Sequence, residues 1–144
     1  MLIRRPVAEV FSGFTDPAIT SKFWFSDGSA VIRDVGQLLR WQWQWLGLEL
    51  QARVVRIAPP HLLELEWPVG RGLRVTWQLE AMGEEATFVR IEQTGFPANA
   101  DGLQEALVAT EGFALVLAGA KAWLEHGLQL GLVSDRFPYA TFAR

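Results

Sequence analysis

The sequence predicts an α+β domain in which a curved antiparallel sheet wraps one long C-terminal helix. Three observations carry that prediction. From about Ala30 to Thr94, apolar and polar residues alternate with period two, as in strands with one dry and one solvated face. Beyond Thr110 the period becomes helical, with Phe113, Leu117, Ala120, Leu124 and Leu128 on one stripe. The 144 residues, half of them apolar and a fifth charged, suit a single globular domain spanning the whole chain.

Pro6 suits the first turn of a helix, and Val7, Val10, Phe11 and Phe14 follow at helical spacing. Asp16 and Pro17 signal a second, very short helix, with Asp16 as N-cap. It runs through Ile19 into the aromatic cluster Phe23-Trp24-Phe25, and Asp27-Gly28 reads as a turn. The clearest strand is Leu39 to Trp45: Leu39, Trp41, Trp43 and Trp45 face one way, Arg40, Gln42 and Gln44 the other. Gly47 turns the chain, and Leu48, Leu50, Ala52 and Val54 form the next dry face. The adjacent pair Val54-Val55 predicts a bulge. Leu63, Leu65 and Trp67 follow Pro59-Pro60. After the Gly70-Arg71-Gly72 turn come Leu73, Val75, Trp77 and Leu79, and then Thr87, Val89, Ile91 and Gln93. Leu103 to Val108 supplies a helical turn or two. The long helix then runs from Thr110 to about Gln129 and stops near Gly131. At 1.5 Å per residue it is about 30 Å long. Six strands at about 4.8 Å make a sheet of similar width. One helix therefore covers most of the dry face.

Composition narrows the function. A net charge of −3 and a pI near 5.4 give no footprint for nucleic acid or an anionic membrane. The absence of cysteine removes disulfides, thiolate metal sites and cysteine nucleophiles, and suits a reducing compartment. No secretory signal is read at Met1 to Pro6, and no segment approaches the roughly 20 apolar residues of a membrane span. The expectation is a soluble cytoplasmic protein.

No catalytic constellation is legible. Glu64 and Glu66 project from a solvated face and Glu84 and Glu85 lie in a hairpin turn, so neither pair shares a cleft as acid–base chemistry requires. His61 follows two prolines in a turn, and His126 sits late in the long helix, where it suits the dipole. Two distant histidines without cysteine make no zinc site. No metal and no cofactor is expected. The alternating Arg, Glu and Gln of the wet face read as cross-strand pairs.

The seven tryptophans are the compositional oddity. Two readings stay open. Trp41, Trp43, Trp45, Trp67 and Trp77 fill the core, or some of them line a pocket and stack on a flat or lipid-like ligand. The facing helix is rich in small residues, among them Ala114, Ala118, Gly119 and Ala120, which either bring it close to the sheet or leave room beneath it. Gln93, with Thr87 next, either orients a ligand or bonds only to nearby backbone, and Trp24, with Phe23 and Phe25, either sits at the cavity mouth or packs under the first helix.

Several segments together resemble a known family. The Thr15-Asp16-Pro17 turn leads to Phe23-Trp24, the Trp41-Gln42-Trp43 strand follows Gly36, and the C-terminal stretch runs from Leu117 through Lys121, Trp123 and Glu125 to Gly127. In that order they resemble the activator of Hsp-ninety ATPase homologue-like branch of the START/Bet-v-like (SRPBCC) superfamily. The resemblance implies a helix-grip fold: a first strand, two short helices, six further strands, and a long helix gripped by the sheet. A cavity for an apolar small molecule commonly lies between helix and sheet in that superfamily. Its members include lipid carriers, chaperone-linked modules and polyketide cyclases, so the fold does not fix the function. Only Met1 to Arg4 remain for the first strand here. A stunted first strand leaves a sheet edge partly bare, which suggests a homodimer contact.

The leading expectation is a non-enzymatic carrier of an apolar ligand. Its proposed ligand-binding residues are Trp24, Trp41, Trp43, Trp45, Trp67, Trp77, Gln93, Phe113, Leu117, Ala120 and Leu124. The alternative is a module that engages a chaperone partner, and a cyclase-like enzyme ranks last.

Overall fold

The computed structural model describes residues 1–142, with side chains through residue 140. A two-residue strand β1 (Leu2–Ile3) opens the chain, followed by α1 (Val7–Thr15) and α2 (Pro17–Thr20). Pro6 stands just before α1, whose Val10, Phe11 and Phe14 turn inward. Asp16 caps α2 as its sequence position predicts, accepting from the Ala18 backbone N–H at 3.0 Å. The Thr20 hydroxyl then donates to the Gly13 carbonyl at 2.6 Å and ties the two helices together.

The sheet is built from β1, β2 (Asp27–Gly28), β3 (Leu38–Trp43), β4 (Leu48–Ala58), β5 (Leu62–Glu66), β6 (Arg74–Ala81) and β7 (Thr87–Thr94). All described pairings are antiparallel, in the order β1-β7-β6-β5-β4-β3-β2. The dry face carries Leu39, Trp41, Ala52, Val54, Leu63, Leu65, Val75, Trp77 and Val89, all buried. On the wet face Arg56 meets Glu64 at 2.7 Å, Arg74 meets the same carboxylate at 3.1 Å, and Arg53 meets Glu66 at 3.2 Å. These are the expected cross-strand pairs. The predicted bulge is a register shift between Val54 and Arg56.

Three boundaries differ from the sequence reading. Asp27 and Gly28 are not a free turn: they pair with Gln42 and Trp41 as β2. The strand expected to reach Trp45 stops at Trp43. Gln44–Leu46 coil into a 3-10 turn that closes on Gly47 at φ +63°. Trp45 therefore leaves the ladder, although the sequence alternation continues through it.

The third difference is the long helix. It is one element, α3 (Ala100–His126), with Asn99 as N-cap accepting from the Gly102 N–H at 2.8 Å. It ends at Gly127, not near Gly131. Gly127 takes φ +65° and its N–H bonds back to the Trp123 carbonyl, while Leu128 N–H reaches the Ala122 carbonyl. Leu128 lies past the helix and is exposed. His126 sits in the last turn, as expected. Phe113, Val116, Gly119 and Ala120 face the core. Gly119 lets α3 approach Phe23 closely, since a Cβ there would stand 3.0 Å from that of Phe23. By length and composition alone α3 is long and apolar enough to cross a membrane, contrary to the sequence expectation. Its leucines, valines and alanines are spread around the helix with few charges, so no continuous apolar run announces it. Beyond it the chain forms α4 (Leu132–Asp135) and α5 (Pro138–Phe142).

Candidate functional site

The space between sheet and α3 is filled at one end and open at the other. The filled part is aromatic. Trp24, delivered by the turn after α2, lies 4.9 Å from Trp41, 5.5 Å from Trp67, 5.7 Å from Phe113 and 5.9 Å from Trp77, centroid to centroid. Trp41 stacks on Phe25 at 5.1 Å, and Trp77 meets Phe113 edge-on at 6.1 Å. Such offset and edge-on pairs add about 0.5–1.5 kcal/mol each to what burial supplies. Among the described residues, the indole N–H groups of Trp67 and Trp77 in this cluster, and of Trp45 on its 3-10 turn, are buried without a hydrogen-bond partner. Leaving a buried donor unmet costs about 1–3 kcal/mol, so the cluster is held by packing against that penalty.

Beside the cluster opens a cavity of about 440 Å³. Its floor is Trp24, Trp43, Trp67 and Phe113. One wall comes from Leu46, Leu48 and Leu50 after β3, a second from Leu73, Gln93 and Phe96, and a third from α3 through Val108, Ala109, Gly112 and Val116. Val133, Arg136 and Phe137 close the remaining side from the C-terminal tail. The lining is overwhelmingly apolar. Gln93 is the polar group facing from the sheet, and its Nε2 donates to the Trp67 carbonyl at 3.3 Å. At the margin Arg71 pairs with Glu105 at 2.9 Å and Arg136 with Glu111 at 3.0 Å.

Of the residues singled out from sequence, Trp24, Trp43, Trp67, Gln93 and Phe113 line this cavity. Trp24 is buried in its floor rather than standing at a mouth. Trp41 and Trp77 lie behind them in the packed core, 2% and 1% exposed. Trp45, carried off on its 3-10 turn, is not part of the lining. Leu117, Ala120 and Leu124 belong to the half of α3 that packs solidly on the core, and Ala120 is fully buried there. Thr87 is also committed elsewhere, its hydroxyl donating to the Arg5 carbonyl at 2.9 Å.

Sequence reasoning missed the N-terminal half of α3 and the tail. The signal for α3 is faint: Gln104, Val108, Gly112 and Val116 recur at i, i+4 and share one face, but Gln104 and Gly112 add no apolar side chain to it. Splitting the helix near Thr110 hid it. For Val133, Arg136 and Phe137 no periodic signal exists.

The described ionisable side chains that reach the cavity are Arg71, Glu105 and Arg136. Among the described residues no cluster of His, Cys, Asp or Glu could hold a metal ion. The ring of His61 meets the Leu79 carbonyl at 3.0 Å, far from this cavity in a separate shallow depression. The most constrained charge lies at the far end of α3. Burial pushes the Glu125 carboxyl up. The Lys121 hydrogen bond, the Arg4 backbone N–H and the charges of both cations outweigh that and hold it below the ordinary carboxylate value.

Comparison with known structures fits this architecture. The protein SSP2350 from Staphylococcus saprophyticus superposes with a TM-score of 0.77 at 25% identity, over 90% of this chain and 91% of its own. DynU16, from the dynemicin biosynthetic locus, gives 0.76 at 21% identity, over 90% of this chain but 46% of its own. The Aha1 dimer from Colwellia psychrerythraea gives 0.72 at 18%, over 88% and 93%. No curated protein matches the chain. The order of a short strand, two short helices, six strands and a gripped long helix is the helix-grip architecture of the SRPBCC superfamily. With residues 4–125 matching the family described as Activator of Hsp90 ATPase homolog 1-like protein, the chain belongs to that family.

Proposed function

We propose that this protein binds an apolar small molecule in the cavity between the sheet and the N-terminal half of α3, without catalysis. The observation that carries the reading is the cavity itself: about 440 Å³, within the roughly 300–1,000 Å³ of small-molecule sites, floored by aromatic rings. Removing ligand surface from water supplies the affinity, at about 25 cal/mol per Å², and Gln93 offers one orienting group. The absence of cysteine supports a cytoplasmic location. The test uses Nile red, a neutral apolar dye. It should bind saturably and quench tryptophan emission, and Ala109→Trp, which fills the cavity from the helix side, should weaken binding at least tenfold. Equal affinity in that variant would remove the site from this cavity.

A second reading is a chaperone-associated interaction module, and the family description favours it. Leu103, Leu107 and Val108 on α3 are exposed, and Val108 also lines the cavity. An apolar segment of an Hsp90-type partner would cover that strip. Leu107→Asp would then abolish partner binding while leaving Nile red binding intact. A homodimer through the stunted first strand is a further proposal: among the described residues β1 and Met1 cover Thr87, Phe88 and Val89 of β7 and leave the rest of that edge open, and the Colwellia relative is a dimer.

A further inference from the structure

The chain is acidic overall, yet two of the three charged side chains that reach the cavity, Arg71 and Arg136 beside Glu105, are guanidiniums. They come from separate segments of the chain. Arg71 is in the turn between β5 and β6, and Arg136 directly follows α4. Arg71 Nη2 donates to both oxygens of Glu105, at 3.1 and 2.9 Å. Arg136 Nη2 donates to Glu111 at 3.0 Å. A guanidinium has five N–H donors, and among the described residues only Nη2 of each finds an acceptor.

The two protein partners are weak competitors. Glu105 is 38% and Glu111 62% exposed, and ion pairs of that exposure are screened by water and contribute little. Arg136 is the more withdrawn cation, 20% exposed, with its guanidinium 5.5 Å from the Phe137 ring. The helix makes room for it. A Cβ at Gly112 would stand 3.2 Å from Arg136 Nη1, so the bare helix surface lets the guanidinium lie against α3 where α3 lines the cavity.

Resting on the reading of this cavity as a ligand site, we infer that its ligand is an amphiphilic carboxylate: an apolar body carrying one carboxylate head. The body lies on Trp24, Trp43, Trp67 and Phe113. The head meets the forked donors of Arg136, with Arg71 as the second cation at the margin. A planar carboxylate fits a guanidinium bidentately, and such charge-assisted bonds are roughly twice as strong as neutral ones.

The test compares acid and neutral partners of the same shape by calorimetry: dodecanoate against 1-dodecanol for an aliphatic body, and 2-naphthoate against 2-naphthol for an aromatic one. The acid of at least one pair should bind about tenfold or more tightly, and the pair that does so identifies the body. Arg136→Gln should narrow that gap to under threefold without moving the affinity of the neutral member. Arg71→Gln, at a 52% exposed position, should narrow it in part and guards against a folding defect in the first variant. Equal binding of acid and neutral probes would overturn the head-group assignment and leave the cavity reading standing. So would an acid preference that survives both substitutions. Failure of all four probes, together with Nile red, would overturn both.

Discussion

Replacing Glu125 with glutamine should cost the fold about 2 kcal/mol and flatten its acid sensitivity. The Glu125 side chain is 6% exposed. It accepts from the Arg4 backbone N–H at 3.0 Å and from Lys121 Nζ at 3.0 Å on the same oxygen, while its second oxygen lies 2.7 Å from that ammonium. Lys121 Nζ also donates to the Leu2 carbonyl at 2.8 Å. One carboxylate thus fastens the end of α3 to the first strand. Hydrogen bonds to a charged group contribute about 1.5–3 kcal/mol. Glutamine keeps one acceptor but turns an amide NH₂ toward the ammonium, so about one such bond is lost. That is about 2 kcal/mol, or roughly 5–10 °C in Tm at this chain length.

The pH dependence follows from the sign of the shift. Lys121 and Arg4 overcome the upward push of burial and hold the carboxyl below its ordinary value of 4.5. A carboxyl held low in the fold takes up its proton later than in the unfolded chain. Its stabilisation is complete above the unfolded value and disappears as pH falls through the folded one. Urea unfolding of both proteins from pH 7 to pH 3 measures this directly. The gap between them should be full at neutral pH and close below about pH 4.5. A gap that stays constant across that range would refute the account, because a merely steric defect has no reason to titrate.

Two further outcomes can be checked simply. Gly102→Ala should destabilise the protein by more than about 1 kcal/mol, opposite to the gain of about 1 kcal/mol that alanine brings inside an unobstructed helix. The added Cβ would run into the Pro97 carbonyl, whose carbon lies 2.7 Å away, and disturb the Asn99 cap; a raised Tm would contradict this. If the stretch of β7 beyond Val89, where the Met1 backbone stops covering it, pairs with a second copy, light scattering at micromolar concentration should return twice the 16.1 kDa of one chain, and the single mass would remove the homodimer.

The strands were legible because burial on one face imposes a period of two that short turns do not erase. Even the β4 irregularity was visible, since Val54 and Val55 cannot both face the core in a regular strand. Trp45 was misplaced because alternation does not register a backbone that has begun to coil toward Gly47. The start of α3 was obscured for a different reason. Its inward positions Gln104, Val108 and Gly112 border a void and need not be large or apolar, so the stripe fades where the cavity begins. Which tryptophans fill space and which face it depends on rotamers fixed by distant neighbours: Phe25 holds Trp41 in the core, and no local pattern encodes that contact. Arg136 and Phe137 reach the cavity through tertiary return of the tail, which periodicity cannot report.

The two halves of α3 are anchored very unequally. From Val116 to Glu125 the helix is clamped by Gly119 on Phe23, by the buried Ala120 and by the Lys121–Glu125 bonds. From Leu103 to Val108 it presents exposed leucine and valine on one side and borders empty space on another. Backbone amides should therefore surrender their protons to deuterated solvent along a gradient, fastest near the Asn99 end and slowest near the Gly119 contact. Such a rod can loosen one end while the other keeps the domain assembled, which gives a guest a way in without global melting.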